Sequence, residues 1–211
     1  MARFLPLFPL SMVVFPGEEF RLHIFEPRYK QLINECLADK SSFGIPSVIN
    51  KHISEVATEV SVLSMDKKYK NGEMDISTIG LKRWQLEEYF PVSEGKLYPG
   101  GMLSEMEDDL NSSPDLQSNI FDLLAQLHRT LGITKTLAET AHEIVSFQIG
   151  HHIGLSIQQE FELLRIPTEI KRLTYIQQHL QHILPIVTEA ERLKSKAKLN
   201  GHYKNIAPPE L

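Results

Sequence analysis

The sequence predicts an α+β chain, β-rich in its first part and wholly helical in its second. Three observations carry this. From Phe4 to about Met106 apolar residues recur mostly at every second position, as alternate side chains of half-buried strands do. From Ser113 onward the spacing changes to three and four, the period of a helix with one buried face. Between the two lies an acidic, polar stretch, Ser104 to Ser113, in which Glu105, Glu107, Asp108 and Asp109 precede Asn111-Ser112-Ser113-Pro114. The expected organisation is a β domain over residues 1–108, a helical bundle over 109–200 and a flexible tail over 201–211.

Taken in order, Phe20, Leu22 and Ile24 alternate with Glu19, Arg21 and His23, and Val56, Thr58, Val60 and Val62 alternate with more polar neighbours, so both stretches read as strands. Glu26-Pro27 opens one helix inside the β region, because proline's fixed φ and missing N–H suit the first helical position. Tyr29, Leu32, Ile33, Cys36 and Leu37 then share one stripe, which faces the sheet and plugs one end of it. Asn71-Gly72 predicts a hairpin through a type I′ turn, since that turn needs positive φ at both central residues. Met74, Ile76 and Thr78 continue the return strand, Gly80 marks a bend or bulge, and Trp84 and Leu86 resume the alternation.

In the helical part, Ser113 caps and Pro114 starts a helix with Leu116, Ile120, Leu123, Leu124, Leu127 and Leu131 on one face. A second helix is expected from about Leu137 to Ile153, ended by Gly154. Ser156 through Gln159 forms a capping box. After Ile166-Pro167 a long helix buries Ile170, Leu173, Ile176, Leu180, Ile183, Leu184 and Val187, with Pro185 expected to kink or restart it. From Asn200 to Leu211 apolar anchors are few, and a frayed end is expected.

Of the 211 residues, 42% are hydrophobic and 23% charged, the composition of a soluble globular protein. No apolar run approaches the ~18 residues of a membrane span. Pro6 and Pro9 break the apolar opening and no small-residue cleavage site follows, so no signal peptide is expected. Cys36, the single cysteine, excludes an internal disulfide and a cysteine metal site, and it points to the reducing cytoplasm. The formal net charge is −5 with Lys and Arg dispersed, which disfavours nucleic acid as a partner.

The opening words Leu5-Pro6-Leu7-Phe8-Pro9-Leu10, Val13-Val14-Phe15-Pro16-Gly17 and Phe25-Glu26-Pro27-Arg28-Tyr29 occur in order. They are followed by Phe43-Gly44-Ile45, Thr58-Glu59-Val60, and Asn71-Gly72 ahead of Ile79-Gly80-Leu81-Lys82-Arg83-Trp84. Together they resemble the substrate-binding N-terminal domain of the Lon (La) ATP-dependent protease family. Glu162-Leu163-Leu164, Ile166-Pro167 and Lys171-Arg172-Leu173 resemble the segment that ends that domain, so the resemblance runs from about Phe4 to Val187. It implies a twisted, PUA-like β-barrel followed by a helical bundle, and a free-standing version of the domain without ATPase motor or protease. In full-length Lon proteases the domain helps to recognise and hold unfolded protein segments. Such a likeness ranks functions without proving one.

Catalytic signatures are missing. A phosphate-binding loop would need a glycine-rich turn ending in Lys and Ser or Thr; the nearest candidate, Gly95-Lys96, is followed by Leu97 and has Phe90 where the first glycine belongs. His142-Glu143 begins like a zinc-protease motif, but Ser146 stands where the second histidine is required. His151-His152 point about 100° apart on a helix, and His179 and His182 lie three apart on a polar face; both pairs read as surface or interhelical histidines. Asp108-Asp109 and Glu87-Glu88 read as solvated charges. No metal, cofactor or catalytic residue is expected.

Phe15, Pro16, Arg28, Tyr29, Arg83 and Trp84 combine large apolar surface with planar cations, which suits polypeptide recognition. Two readings stay open for them: an exposed groove, or core aromatics braced by arginines. The leading expectation is a non-enzymatic module that binds unfolded or apolar polypeptide segments, an adaptor linked to proteolysis or protein quality control, with a separate protease or ATPase as a further partner. The alternatives are a PUA-like small-ligand or RNA-binding protein, and an enzyme that uses Cys36 with a distant histidine.

Overall fold

In order along the chain come β1 (Ala2–Pro6), β2 (Glu19–Ile24), α1 (Pro27–Asp39), β3 (Phe43–Ile49), β4 (His52–Lys68), β5 (Met74–Phe90), β6 (Gly100–Glu105) and α2 (Pro114–Leu131). Then follow α3 (Val145–Ile149), which runs into a 3-10 turn at Gly150–His152, α4 (Ile157–Arg165) and α5 (Glu169–His202). This is a computed structural model, and it describes residues 2–133 and 145–202. The α+β class is therefore present, with all six strands ahead of α2. Packing separates the chain into two units, Met1–Leu110 with His142–Glu169, and Asn111–Ala141 with Ile170–Leu211. Periodicity alone groups α3 and α4 with the other helices, whereas their side chains lie in the unit that holds the strands.

In the first unit the strands form one antiparallel sheet in the order β1-β6-β5-β4-β3, with β2 paired to the first part of β5. The sheet closes on itself just beyond β1. The Phe8 N–H donates to the Gly44 carbonyl (2.8 Å), Leu10 N–H to Pro46 (3.2 Å) and Val48 N–H to Leu10 (2.7 Å), so Leu7 and Leu10 lie parallel to β3. Closure joins the β1 end of the sheet to β3, so neither of these ends is left as an open edge. Helix α1 starts at Pro27 and buries Tyr29, Leu32, Ile33 and Cys36 against Phe8, Val14, Phe43, Ile45, Met74 and Ile76. A smaller cluster, Leu5, Leu7, Ala57, Trp84 and Leu103, fills the other part of the barrel.

Two turns differ from the sequence reading. The hairpin between β4 and β5 exists, but Gly72 alone takes a positive φ (79°). Gly72 N–H donates to the Tyr69 carbonyl (3.0 Å) and Tyr69 N–H to Glu73 (2.8 Å), a three-residue connection in place of type I′. The Asn71 side chain accepts from the Glu73 N–H (3.1 Å), which ties Asn71 to its own loop. The turn with two successive positive φ values is the one between β3 and β4, at Asn50 (51°) and Lys51 (67°). Lysine carries no signal for that conformation, so the sequence hides it.

Gly80 lies within β5 beside a register shift of β4 between Thr58 and Val60. A Cβ there would come within 2.3 Å of the Phe15 carbonyl oxygen, so the close approach of the Phe15 turn requires glycine.

In the second unit Ser113 caps α2, and Ile120, Leu124 and Leu127 of α2 are buried, as are Leu173, Ile176, Leu180 and Leu184 of α5. The Gln177 amide donates to Asn119 (2.8 Å), and Leu123 and Gln126 border one groove with Gln181, Leu184 and Thr188. Positions rise together on both helices, so α2 and α5 run parallel. Helix α5 continues through Pro185 as a single element, without the expected restart. Proline's missing N–H leaves the Gln181 carbonyl without its helical donor, and Gln181 and Pro185 border that same open groove of about 380 Å³. The second predicted helix is present at 145–152, while residues 134–144 lie outside the described residues, as do 203–211 of the expected tail. Helix α5 itself extends to His202, beyond the predicted start of fraying.

Candidate functional site

The six residues singled out by the sequence fall into three places within the first unit. Phe15, Tyr29, Arg83 and Trp84 are buried, Pro16 is half-buried and Arg28 is exposed. The structure brings Phe15 and Arg83 together on one ring: Phe147 of α3 stacks on Phe15 with centroids 5.1 Å apart, and the Arg83 guanidinium lies 5.8 Å from the Phe147 centroid. Trp84 and the Arg28–Tyr29 pair belong to separate clusters.

Arg83 is fully buried, and its charge is met on every side. Its Nη2 and Nε donate to the two Asp108 carboxylate oxygens (2.5 and 3.1 Å), and Nη1 donates to the carbonyls of Leu164 and Ile166, the latter at 3.1 Å. A two-point carboxylate contact suits a planar guanidinium. Asp108, read from the sequence as a solvated charge, is thus the counter-ion of a buried cation, and Asp109 N–H donates to the Pro167 carbonyl (3.1 Å). The acidic stretch is pinned to the end of α4.

The Phe15-Pro16-Gly17 turn is held as firmly. Gly17 N–H donates to Gly80 and Gly80 N–H to the Glu18 carbonyl, both at 2.9 Å, while the Glu18 carboxylate accepts from Phe15 N–H (2.9 Å). His151 stands between two carboxylates, 3.1 Å from Glu18 and 2.7 Å from Glu160, with its ring 4.5 Å from Phe15. Burial disfavours its charge, but the hydrogen bonds and charges of Glu18 and Glu160 outweigh that and raise its pKa to about 9. His151 therefore reads as an interhelical cation that fastens the turn to α4.

Trp84 donates its indole N–H to Glu59 (2.9 Å), a nearly buried carboxylate in β4 that also accepts from Arg3 (3.1 Å) and from the Ser42 hydroxyl. Arg3 lies over the Trp84 ring at 5.9 Å. Tyr29 stacks on Phe8 at 3.8 Å, and Arg28 covers its outer face at 4.5 Å while pairing with Glu26 at 2.8 Å. The sequence reading missed the roles of Glu59, Glu18 and Phe147, and it named His151 as a surface or interhelical histidine without its partners. Glu59 left a trace, a carboxylate inside the apolar run Val56 to Val62, which needs a partner wherever that strand is buried. The others left none, because their partners are distant in the chain.

Among the described residues no group of three His, Cys, Asp or Glu side chains could hold a metal ion, and no helix is long and apolar enough to cross a membrane. Cys36 is buried, and burial raises its thiol pKa, which disfavours the thiolate a nucleophile requires.

The fold matches that of solved Lon N-terminal domains. The Lon N-terminal domain protein from Xanthomonas campestris matches with a TM-score of 0.63 and 26% identity over 82% of this chain and 95% of its own. The N-terminal domain of the Mycobacterium avium complex Lon protease matches in fold, with a TM-score of 0.65 and 15% identity over 85% of this chain and 98% of its own. A comparison with curated proteins found no match. The family model for the ATP-dependent protease La (LON) substrate-binding domain matches residues 4–182, and the chain belongs to that family.

Proposed function

We propose that this chain holds exposed, unfolded or apolar segments of other polypeptides and serves as an adaptor for proteolysis or protein quality control, with no chemistry of its own. The observation that carries the reading is the family match over residues 4–182, whose description is a substrate-binding domain. A separate protease or ATPase is the partner such an adaptor would deliver to, and the single buried Cys36 fits a reducing cytoplasm. Of the residues that the sequence offered for binding, Arg28 is exposed, with Tyr29 beneath its guanidinium, and Pro16 is half-buried at a separate place.

The test is fluorescence anisotropy with labelled, reduced and carboxymethylated lactalbumin, an unfolded acidic chain, against its native form. Binding of the unfolded form at micromolar protein and not of the native form is expected. Arg28→Ala, which removes an exposed side chain, is expected to weaken that binding without altering the melting temperature. Absence of binding at several hundred micromolar would sink the proposal.

A further inference from the structure

The barrel is closed, but the second half of β4 is not part of the closure. β3 pairs with β4 only as far as Phe43↔Val60, while β4 continues to Lys68. From Ser61 to Lys68 its sole strand partner is β5, through Ser61↔Ile79 to Lys68↔Met74, and β2 flanks β5 on its far side. Leu63 to Lys68 are all exposed. Among the described residues no backbone hydrogen bond reaches the outer side of Ser61–Lys68. Peptide N–H and C=O groups on that side are therefore free for an extended backbone.

Three features select the occupant. Register shifts between Val62 and Ser64 and between Met65 and Lys67 put two bulges in this half-strand. A bulged edge bends, so the rigid edge of a second copy cannot follow it, whereas a flexible extended segment can. Leu63 and Met65 are 51% and 36% exposed, which offers apolar contact beside the backbone. The turn end carries Lys67, Lys68 and Lys70; no carboxylate lies within ion-pairing distance of Lys68 or Lys70 among the described residues, and Lys67 lies 4.4 Å over the Tyr69 ring. Asp66, the carboxylate of this edge, is already occupied by the hydroxyls of Ser64 (2.6 Å) and Ser77 (2.7 Å).

We propose that the free edge of β4, Ser61–Lys68, captures an extended, apolar polypeptide segment bearing carboxylates at one end, by adding it to the sheet as a further strand. The proposal rests on the polypeptide-binding reading above and gives it a mode: main-chain pairing recognises the unfolded state of a partner without requiring one sequence.

The test uses the whole chain, labelled carboxymethylated lactalbumin, and a labelled ten-residue peptide of alternating Val and Thr ending in two Glu. A second version of the peptide is N-methylated at alternate residues, which blocks one edge and leaves the side chains intact. Methylation is expected to weaken peptide binding by roughly fivefold per lost hydrogen bond. Lys68→Glu/Lys70→Glu, two exposed changes that leave the core untouched, is expected to weaken both probes by about tenfold. Amide exchange at Ser61–Lys68 slows when the peptide is added. If wild type binds lactalbumin while methylation and the charge reversal each change affinity less than twofold, the edge proposal is overturned and the polypeptide-binding reading stands. Binding of neither probe overturns both. Self-association of the chain that the charge reversal abolishes assigns the edge to a second copy and overturns the proposal.

Discussion

Replacing Arg83 with methionine removes the guanidinium while keeping most of the side chain's volume, so packing around Phe147 is largely spared. The guanidinium is 0% exposed and the Asp108 carboxylate 20% exposed. Removing one partner of such a pair leaves the other desolvated, which costs ~3–5 kcal/mol when burial is complete. Water can reach Asp108 from one side, which puts the pair at the lower end, about 3 kcal/mol. The carbonyls of Leu164 and Ile166 also lose their donor, at ~1 kcal/mol or more each. A total near 5 kcal/mol is expected, or a melting temperature lower by about 15 °C for a chain of this size. Urea denaturation followed by circular dichroism measures it, with Asp108→Asn and the double variant completing a thermodynamic cycle. A loss below about 1 kcal/mol for Arg83→Met, or strict additivity with Asp108→Asn, would refute the view that this buried cation clamps β5 to the end of α4.

Further outcomes follow from the same geometry. His151 has its folded pKa raised from 6.5 to about 9, so its stabilisation is present below pH 6.5 and is lost as pH rises through 9. Wild type should lose about 3 kcal/mol over that window, and His151→Gln should flatten the profile of urea midpoint against pH. Gly80→Ala drives a Cβ against the Phe15 carbonyl oxygen and should cost about 3 kcal/mol. Gly72→Ala, with φ 79° and open space around it, should cost about 1 kcal/mol, and thermal melts of the pair separate contact from backbone strain. Trp84→Phe keeps a ring in the small cluster but withdraws one of three donors from Glu59, for a loss of about 1–2 kcal/mol in chemical denaturation. If Glu59→Gln restored that loss, the carboxylate would be shown to be the group left short of a donor.

The helix starts were legible because their signals are local. Glu26-Pro27, Ser113-Pro114 and the Ser156–Gln159 capping box each act within one turn of chain, and the structure places α1, α2 and α4 there. Family words were legible as well, since they preserve order along the chain. Pairings were not. The carbonyl acceptors of Arg83 lie 81 and 83 residues further on, and nothing in Leu164 or Ile166 announces that its carbonyl will meet a cation. Arginine beside an aromatic has the same local pattern whether exposed, as Arg28 is, or buried, as Arg83 is; only the tertiary surroundings separate the two. Helical periodicity likewise finds α3 and α4 without telling which unit they complete, because an apolar stripe specifies that it is covered and not by what.

The discontinuous make-up of the barrel unit governs the order in which a chain made from its N-terminus can finish folding. All six strands have been synthesised by Glu105, yet Phe15 still lacks the ring of Phe147, Glu18 lacks His151, and Arg83 lacks the carbonyls of Leu164 and Ile166. Until those residues emerge, a guanidinium short of two carbonyl acceptors and a bare aromatic face remain on the nascent barrel. At ordinary synthesis rates of roughly 5–20 residues per second that interval lasts several seconds, long compared with the formation of the hairpins themselves. During it the barrel exposes the same kind of apolar surface that the finished protein is proposed to bind in others.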